Sequence, residues 1–216
     1  MERRVGQEIV GFIDRRPEEL RLVGERLGPF VERPGGEDGV QHANQLWCVG
    51  GPGAGACEAL VVQPLGVAHH AGQRWPVALA LQARGVPSRS FLGYQADIRT
   101  DGSHTRARIE AVDASRVRST LEAGEVAIVA GFQGTDADGN ITTLGRGGSD
   151  TTAIALAAAL RARYCEICSD VDGVCTADPR IVDTTRRIDE LTHDEMVALS
   201  HGGARVLNAE AVEFAR

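Results

Sequence analysis

Residues 143–180, TLGRGGSDTTAIALAAALRARYCEICSDVDGVCTADPR, constrain this chain most, because they set two polar, anion-compatible loops on either side of one helix and one strand. In the first loop, Gly145, Gly147 and Gly148 surround the single large side chain of Arg146, so backbone N–H groups can approach a ligand closely. Ser149 reads as the N-cap of a helix over residues 150–163, with Ile154, Ala157 and Leu160 on a helical period. A guanidinium beside the positive end of a helix suits a carboxylate or a phosphate. Taken alone, GRGGS reads equally well as a flexible turn carrying a solvated Arg.

The second loop follows a short strand over residues 165–169 and opens with Asp170, Asp172 and Gly173, a turn sequence. In open α/β sheets, ligands gather beyond the carboxyl ends of strands. Thr176, Asp178 and Arg180 add a hydroxyl, a carboxylate and a guanidinium there. All 23 cationic residues are Arg and none is Lys, so any phosphate chemistry runs without an ammonium group.

Around these loops the elements alternate. A helix ending at Gly85, a strand over 88–92, a helix over 115–123 closed by Gly124 and a strand over 126–131 come first. Asp138 and Gly139 turn a hairpin back into residues 141–144, and Thr192 to Glu195 has the form of a capping box. This alternation predicts a three-layer α/β/α sandwich with a mostly parallel sheet over residues 77–216. The Gly-rich run over residues 50–56 lacks a following GK[ST] and reads as a connector; residues 14–27 can form one amphipathic helix. Residues 1–76 are expected to be poorly ordered or differently folded.

The combination of TLGRGGSDTTA with SDVDGVCTADPR resembles the aspartate kinase family of the amino acid kinase fold. GVPSRSF at 85–91, GEVAIVAGFQG at 124–134, GARVL at 203–207 and AVEFAR at 211–216 extend the resemblance. It implies an amino acid kinase-like domain, incomplete at its N-terminus, that moves the γ-phosphoryl of Mg-ATP to the side-chain carboxylate of aspartate. Arg146 would grip that substrate, with Gly147, Gly148 and Ser149 around it and Phe132, Gln133 and Gly134 alongside. Ser169 and Asp170, with Cys175, Thr176, Ala177, Asp178, Pro179 and Arg180, would hold ATP. Asp150 and Arg205 take the catalytic places, Arg205 standing where the family carries a late Lys.

The chain also departs from the family. Pro64, Leu65 and Gly66 stand where the family has Lys-Phe-Gly, and His70 or Gln73 stands where it has a substrate-contacting Glu. Cys175 replaces an aromatic residue and Asn208 a His. A noncatalytic relic that keeps part of the nucleotide and aspartate surface is therefore the alternative to an active kinase.

Composition sets the outer bounds. With 43% apolar residues and 4% aromatic ones, Ala, Val, Leu and Ile must pack the core. A net charge of -7 argues against nucleic-acid binding, and the longest apolar run is too short for a membrane. Five Cys with no secretory pattern favour reduced thiols and the cytoplasm, and no spacing matches a metal site. The fold's relatives commonly pair, which admits a homo-oligomer; no regulatory domain is expected within these residues.

Overall fold

The computed structural model describes residues 47–50, 60–63, 76–162, 164–167, 173–204 and 206–215. Its central strand is β6, Val126–Ala130, an apolar run of the kind that a doubly covered parallel strand requires. β2 (Leu60–Gln63) and β3 (Ser88–Phe91) pair with it on either side, both parallel. β1 (Trp47–Gly50) lies alongside β2 and pairs antiparallel with β9 (Tyr164–Ile167).

Alternation along β6 decides the layers, since successive side chains of a strand face opposite ways. Ala127 and Val129 enter the main core with Val117 and Leu121 of α2 (Ser115–Glu122) and Ile154 and Ala157 of α3 (Gly148–Leu160). Ile128 points to the other face and packs on Ala78 and Leu81 of α1 (Pro76–Ala83). Helices therefore cover both faces, as the alternation of elements predicts.

A second sheet has the order β5-β4-β7-β8, from β4 (Ile98–Thr100), β5 (Ile109–Val112), β7 (Gln133–Thr135) and β8 (Ile141–Thr143). Its ladders are antiparallel except for β4 against β7, so the parallel arrangement belongs to the central sheet. The β7–β8 turn is built as predicted around Gly139 at φ +83°, with the Asp136 carboxylate accepting from the N–H groups of Asp138 and Asn140. Inside this sheet the Thr100 and Thr142 hydroxyls meet at 2.6 Å, and a Cβ at Gly134 would lie 2.2 Å from Thr100 Cγ2.

The remaining helices are α4 (His193–His201) and α5 (Ala209–Ala215). α4 begins with the predicted capping box, Thr192 Oγ1 accepting from Glu195 N–H and the Glu195 carboxylate from Thr192 N–H. α5 packs against both α3 and α4.

Two expectations about α3 need correction. Its N-cap is Gly147, in the left-handed region at φ +73°, and not Ser149, which is the second helical residue and buried. The consecutive glycines let the chain enter the helix from a left-handed conformation that is costly for L side chains, so the helix starts earlier than Ser149 suggests. It also ends at Leu160 and not at residue 163, because Arg161 turns left-handed at φ +56°. The helix expected over 14–27, most of the connector over 50–56 and the segment 64–75 lie outside the described residues.

Candidate active site

The Gly-rich loop is held by close contact from two directions. A Cβ on Gly147 would stand 2.4 Å from Asn208 Cβ, and one on Gly148 would stand 2.7 Å from Leu144 Cβ and 2.9 Å from the Phe132 ring. No side chain fits at either position. Gly148 N–H donates back to the Gly145 carbonyl, tightening the bend, while Arg146 between them is exposed. The cation is thus displayed at the N-terminal end of a thirteen-residue helix, where peptide dipoles add partial positive charge.

Phe132 fixes the opposite wall. It sits just past β6 at φ +71°, a conformation few non-glycine residues adopt. Its N–H donates to Thr152 Oγ1 at 3.1 Å, and that hydroxyl donates to the Gly148 carbonyl at 2.8 Å. Its carbonyl accepts from Leu144 N–H. Thr152, fully buried, therefore ties the end of the central strand to the first turn of α3. We expect Thr152→Val, which keeps the shape and removes the acceptor, to cost about 1–3 kcal/mol in urea unfolding by orphaning the Phe132 N–H. A loss below a few tenths would show that the bond is replaceable.

Asp150 lies in the first turn of α3 and is 6% exposed. Burial pushes its carboxyl up to about 6, against the opposing pull of hydrogen bonds from the backbone N–H groups of Asn208 and of Asp150 itself. Asn208 also reaches the loop through its side chain, Nδ2 donating to the Arg146 carbonyl. Sequence reasoning noted Asn208 only as a departure and missed Thr152 altogether. Neither residue carries a local pattern, because each acts on a segment distant in the chain.

The predicted nucleotide segment is partly seen. Ser169, Asp170 and Arg205 lie outside the described residues. Cys175 forms an antiparallel bridge with Arg187, and Thr176 exchanges hydrogen bonds with Arg186, its N–H to the Arg186 carbonyl and its Oγ1 from the Arg186 N–H. Asp178 and Arg180 form a two-pronged ion pair at 3.1 Å, and Ala177 and Pro179 are exposed beside them. This segment and the Gly-rich loop both abut the start of α5. Val174 shares a buried cluster with Leu207, while the next residue, Asn208, touches the loop. An open depression in the second sheet, lined by Tyr94, Asp97, Arg99, Asp136 and Ile141, holds none of the predicted residues. Among the described residues no group of three or more His, Cys, Asp or Glu could hold a metal ion, and no helix is long and apolar enough to cross a membrane.

A parallel sheet between helices, with a glycine-walled loop opening a helix beyond it, defines a class: the chain belongs to the amino acid kinase family, whose model matches residues 72–216. Within that family it is similar to aspartate kinases. An aspartokinase of Pseudomonas aeruginosa is 44% identical over 217 aligned residues, covering 97% of this chain and 51% of the relative. An aspartate kinase of Pseudomonas fluorescens is 55% identical over 139 residues, 64% of this chain and 34% of the relative. Among solved structures, Escherichia coli aspartokinase III in complex with aspartate and ADP aligns with a TM-score of 0.56 and 36% identity, over 62% of this chain and 31% of that one. The chain thus spans about half, or less, of the length of these relatives.

Proposed function

We propose that the chain carries the aspartate-binding and ATP-binding parts of an aspartate kinase, which transfers the γ-phosphoryl of ATP to the side-chain carboxylate of L-aspartate. The observation that supports this most is the exposed Arg146 on a loop that Phe132 and Asn208 wall in. A rigid two-donor fork at a helix N-terminus matches a carboxylate in both geometry and charge. Gly147, Gly148 and Ser149 would line that pocket, with Phe132, Gln133 and Gly134 as its far wall. Cys175 to Arg180, with Ser169 and Asp170, would carry the nucleotide.

Phosphoryl transfer depends on positioning and on neutralising charge more than on covalent help from the protein. Arg146 would orient the acceptor carboxylate, and Arg205 would supply the cation beside the phosphates that a Lys supplies in the family. Magnesium would come in on the nucleotide phosphates and neutralise their charge, since few protein carboxylates are needed for that ion. Asp150, with its carboxyl near 6, can hold or release a proton at the edge of this pocket. In this reading residues 77–216 form the C-terminal part of the kinase domain, acting in the cytoplasm and as a homo-oligomer.

The test is aspartate-dependent consumption of Mg-ATP, with the acyl phosphate trapped as a hydroxamate. The kinase reading expects hydroxamate only when aspartate, ATP and magnesium are all present. The substitution of Lys-Phe-Gly by Pro64, Leu65 and Gly66 favours a second reading, a relic without turnover. That reading expects no hydroxamate while nucleotide still raises the melting temperature.

A further inference from the structure

Asn208 reaches the Gly-rich loop from the far end of the chain. Its Nδ2 donates to the Arg146 carbonyl, and its Oδ1 accepts from Glu210 N–H at the first turn of α5. Both ends of the amide are therefore committed, which fixes its rotamer. Its Cβ lies in the space left by the absent side chain of Gly147. Leu207, next to it, is buried with Val174 at the head of the predicted nucleotide segment.

We infer that Asn208 is a positioning residue for Arg146, a latch that sets the substrate loop from the start of α5 and links it to the segment carrying Cys175. The inference rests on the assignment of the Gly-rich loop to the acidic substrate. The peptide unit joining Arg146 to Gly147 is planar, so holding its carbonyl toward α5 turns the Gly147 N–H to the opposite side. One side-chain bond thus orients both a guanidinium-bearing residue and a backbone donor. An amide suits this place because it offers a donor and an acceptor within one short side chain. Asp would keep the oxygen that accepts from Glu210 N–H and lose the donor to Arg146, while Ser would keep an oxygen but set its hydroxyl one bond nearer the backbone, giving up the reach of Nδ2 to the Arg146 carbonyl.

That difference separates positioning from simple support of the fold. Asn208→Asp and Asn208→Ser both retain a good N-cap for α5, so melting temperatures should stay close to the parent. Without ligand, 15N order parameters at Arg146, Gly147 and Gly148 are expected to fall from about 0.85 toward about 0.6 in both variants. Calorimetric titration should show L-aspartate affinity reduced about tenfold or more and ADP affinity within about twofold of the parent. Unchanged order in the loop with parental aspartate affinity would overturn the latch, as would an equal loss of both ligands together with a lowered melting temperature. If the parent protein itself fails to bind aspartate, the substrate assignment is what fails; the order parameters then decide the latch alone.

Discussion

Gly147→Ala is expected to be the most damaging single-methyl addition among the described glycines of the site, costing about 2–5 kcal/mol in denaturant unfolding. Two effects combine. An L residue at φ +73° pays roughly 1–2 kcal/mol for the left-handed conformation. The new methyl would also lie 2.4 Å from Asn208 Cβ, and forcing atoms into a filled space costs about 1–3 kcal/mol more. Neither atom is the end of a flexible side chain, so relief requires moving either α5 or the loop. Gly139→Ala is the internal control: φ is similar at +83°, but a Cβ there meets nothing within 4 Å. It should lose only the conformational part, about 1–2 kcal/mol. Equal losses at the two positions would mean that the packing of Asn208 on the loop contributes nothing.

The second large effect is the dependence of stability on pH through Asp150. Its carboxyl stands at about 6 in the fold against an ordinary value of 3.8, so the folded protein favours the protonated form. A carboxyl raised in this way contributes stability that is complete below about pH 3.8, fades as pH rises and is gone above about pH 6. The full span corresponds to about 3 kcal/mol. Between about pH 4.5 and about pH 7.5 the parent should lose about 2 kcal/mol relative to Asp150→Asn, whose amide does not titrate. Other carboxylates push the opposite way. Asp101, Asp113 and Glu195 are held below the usual range by the backbone N–H groups of Arg108, Ser115 and Thr192, and Asp136 by the side chain of Asn140. Comparing parent with variant cancels them, because both proteins retain all four. A constant difference across this range would show that the Asp150 carboxyl is hydrated in solution.

Much of the fold was legible because its signals are local. The VAIVA run predicts a buried parallel strand, Gly85 and Gly124 mark the ends of α1 and α2, and Thr192 with Glu195 spells a capping box. The error over Ser149 has an equally local cause. A Ser before an apolar helix is the commoner cap, and nothing in the string reveals that Gly147 lies against Asn208, a residue far along the chain. The mixed pairing of the second sheet was hidden for a related reason. Strands of three residues, such as those starting at Ile98 and Gln133, are too short for periodicity to show which partner they choose. At the site, spacing left the Gly-rich loop open to two readings, and only the resemblance to aspartate kinases gave Arg146 and its glycines a role. The residues that aim them, Thr152 and Asn208, became visible only through hydrogen bonds to Phe132 N–H and to the Arg146 carbonyl.

In the proposed division of the site, the guanidinium of Arg146 binds the acidic substrate, apart from the surface that takes the nucleotide. Calorimetric titration of the parent and of Arg146→Ala with L-aspartate and with ADP tests it most directly. Loss of a two-donor, charge-assisted contact should cost about 3 kcal/mol, roughly a hundredfold weaker aspartate binding, with ADP affinity within about twofold of the parent. Aspartate binding that survives the substitution, or an equal loss of both ligands, would rule out this division of the site.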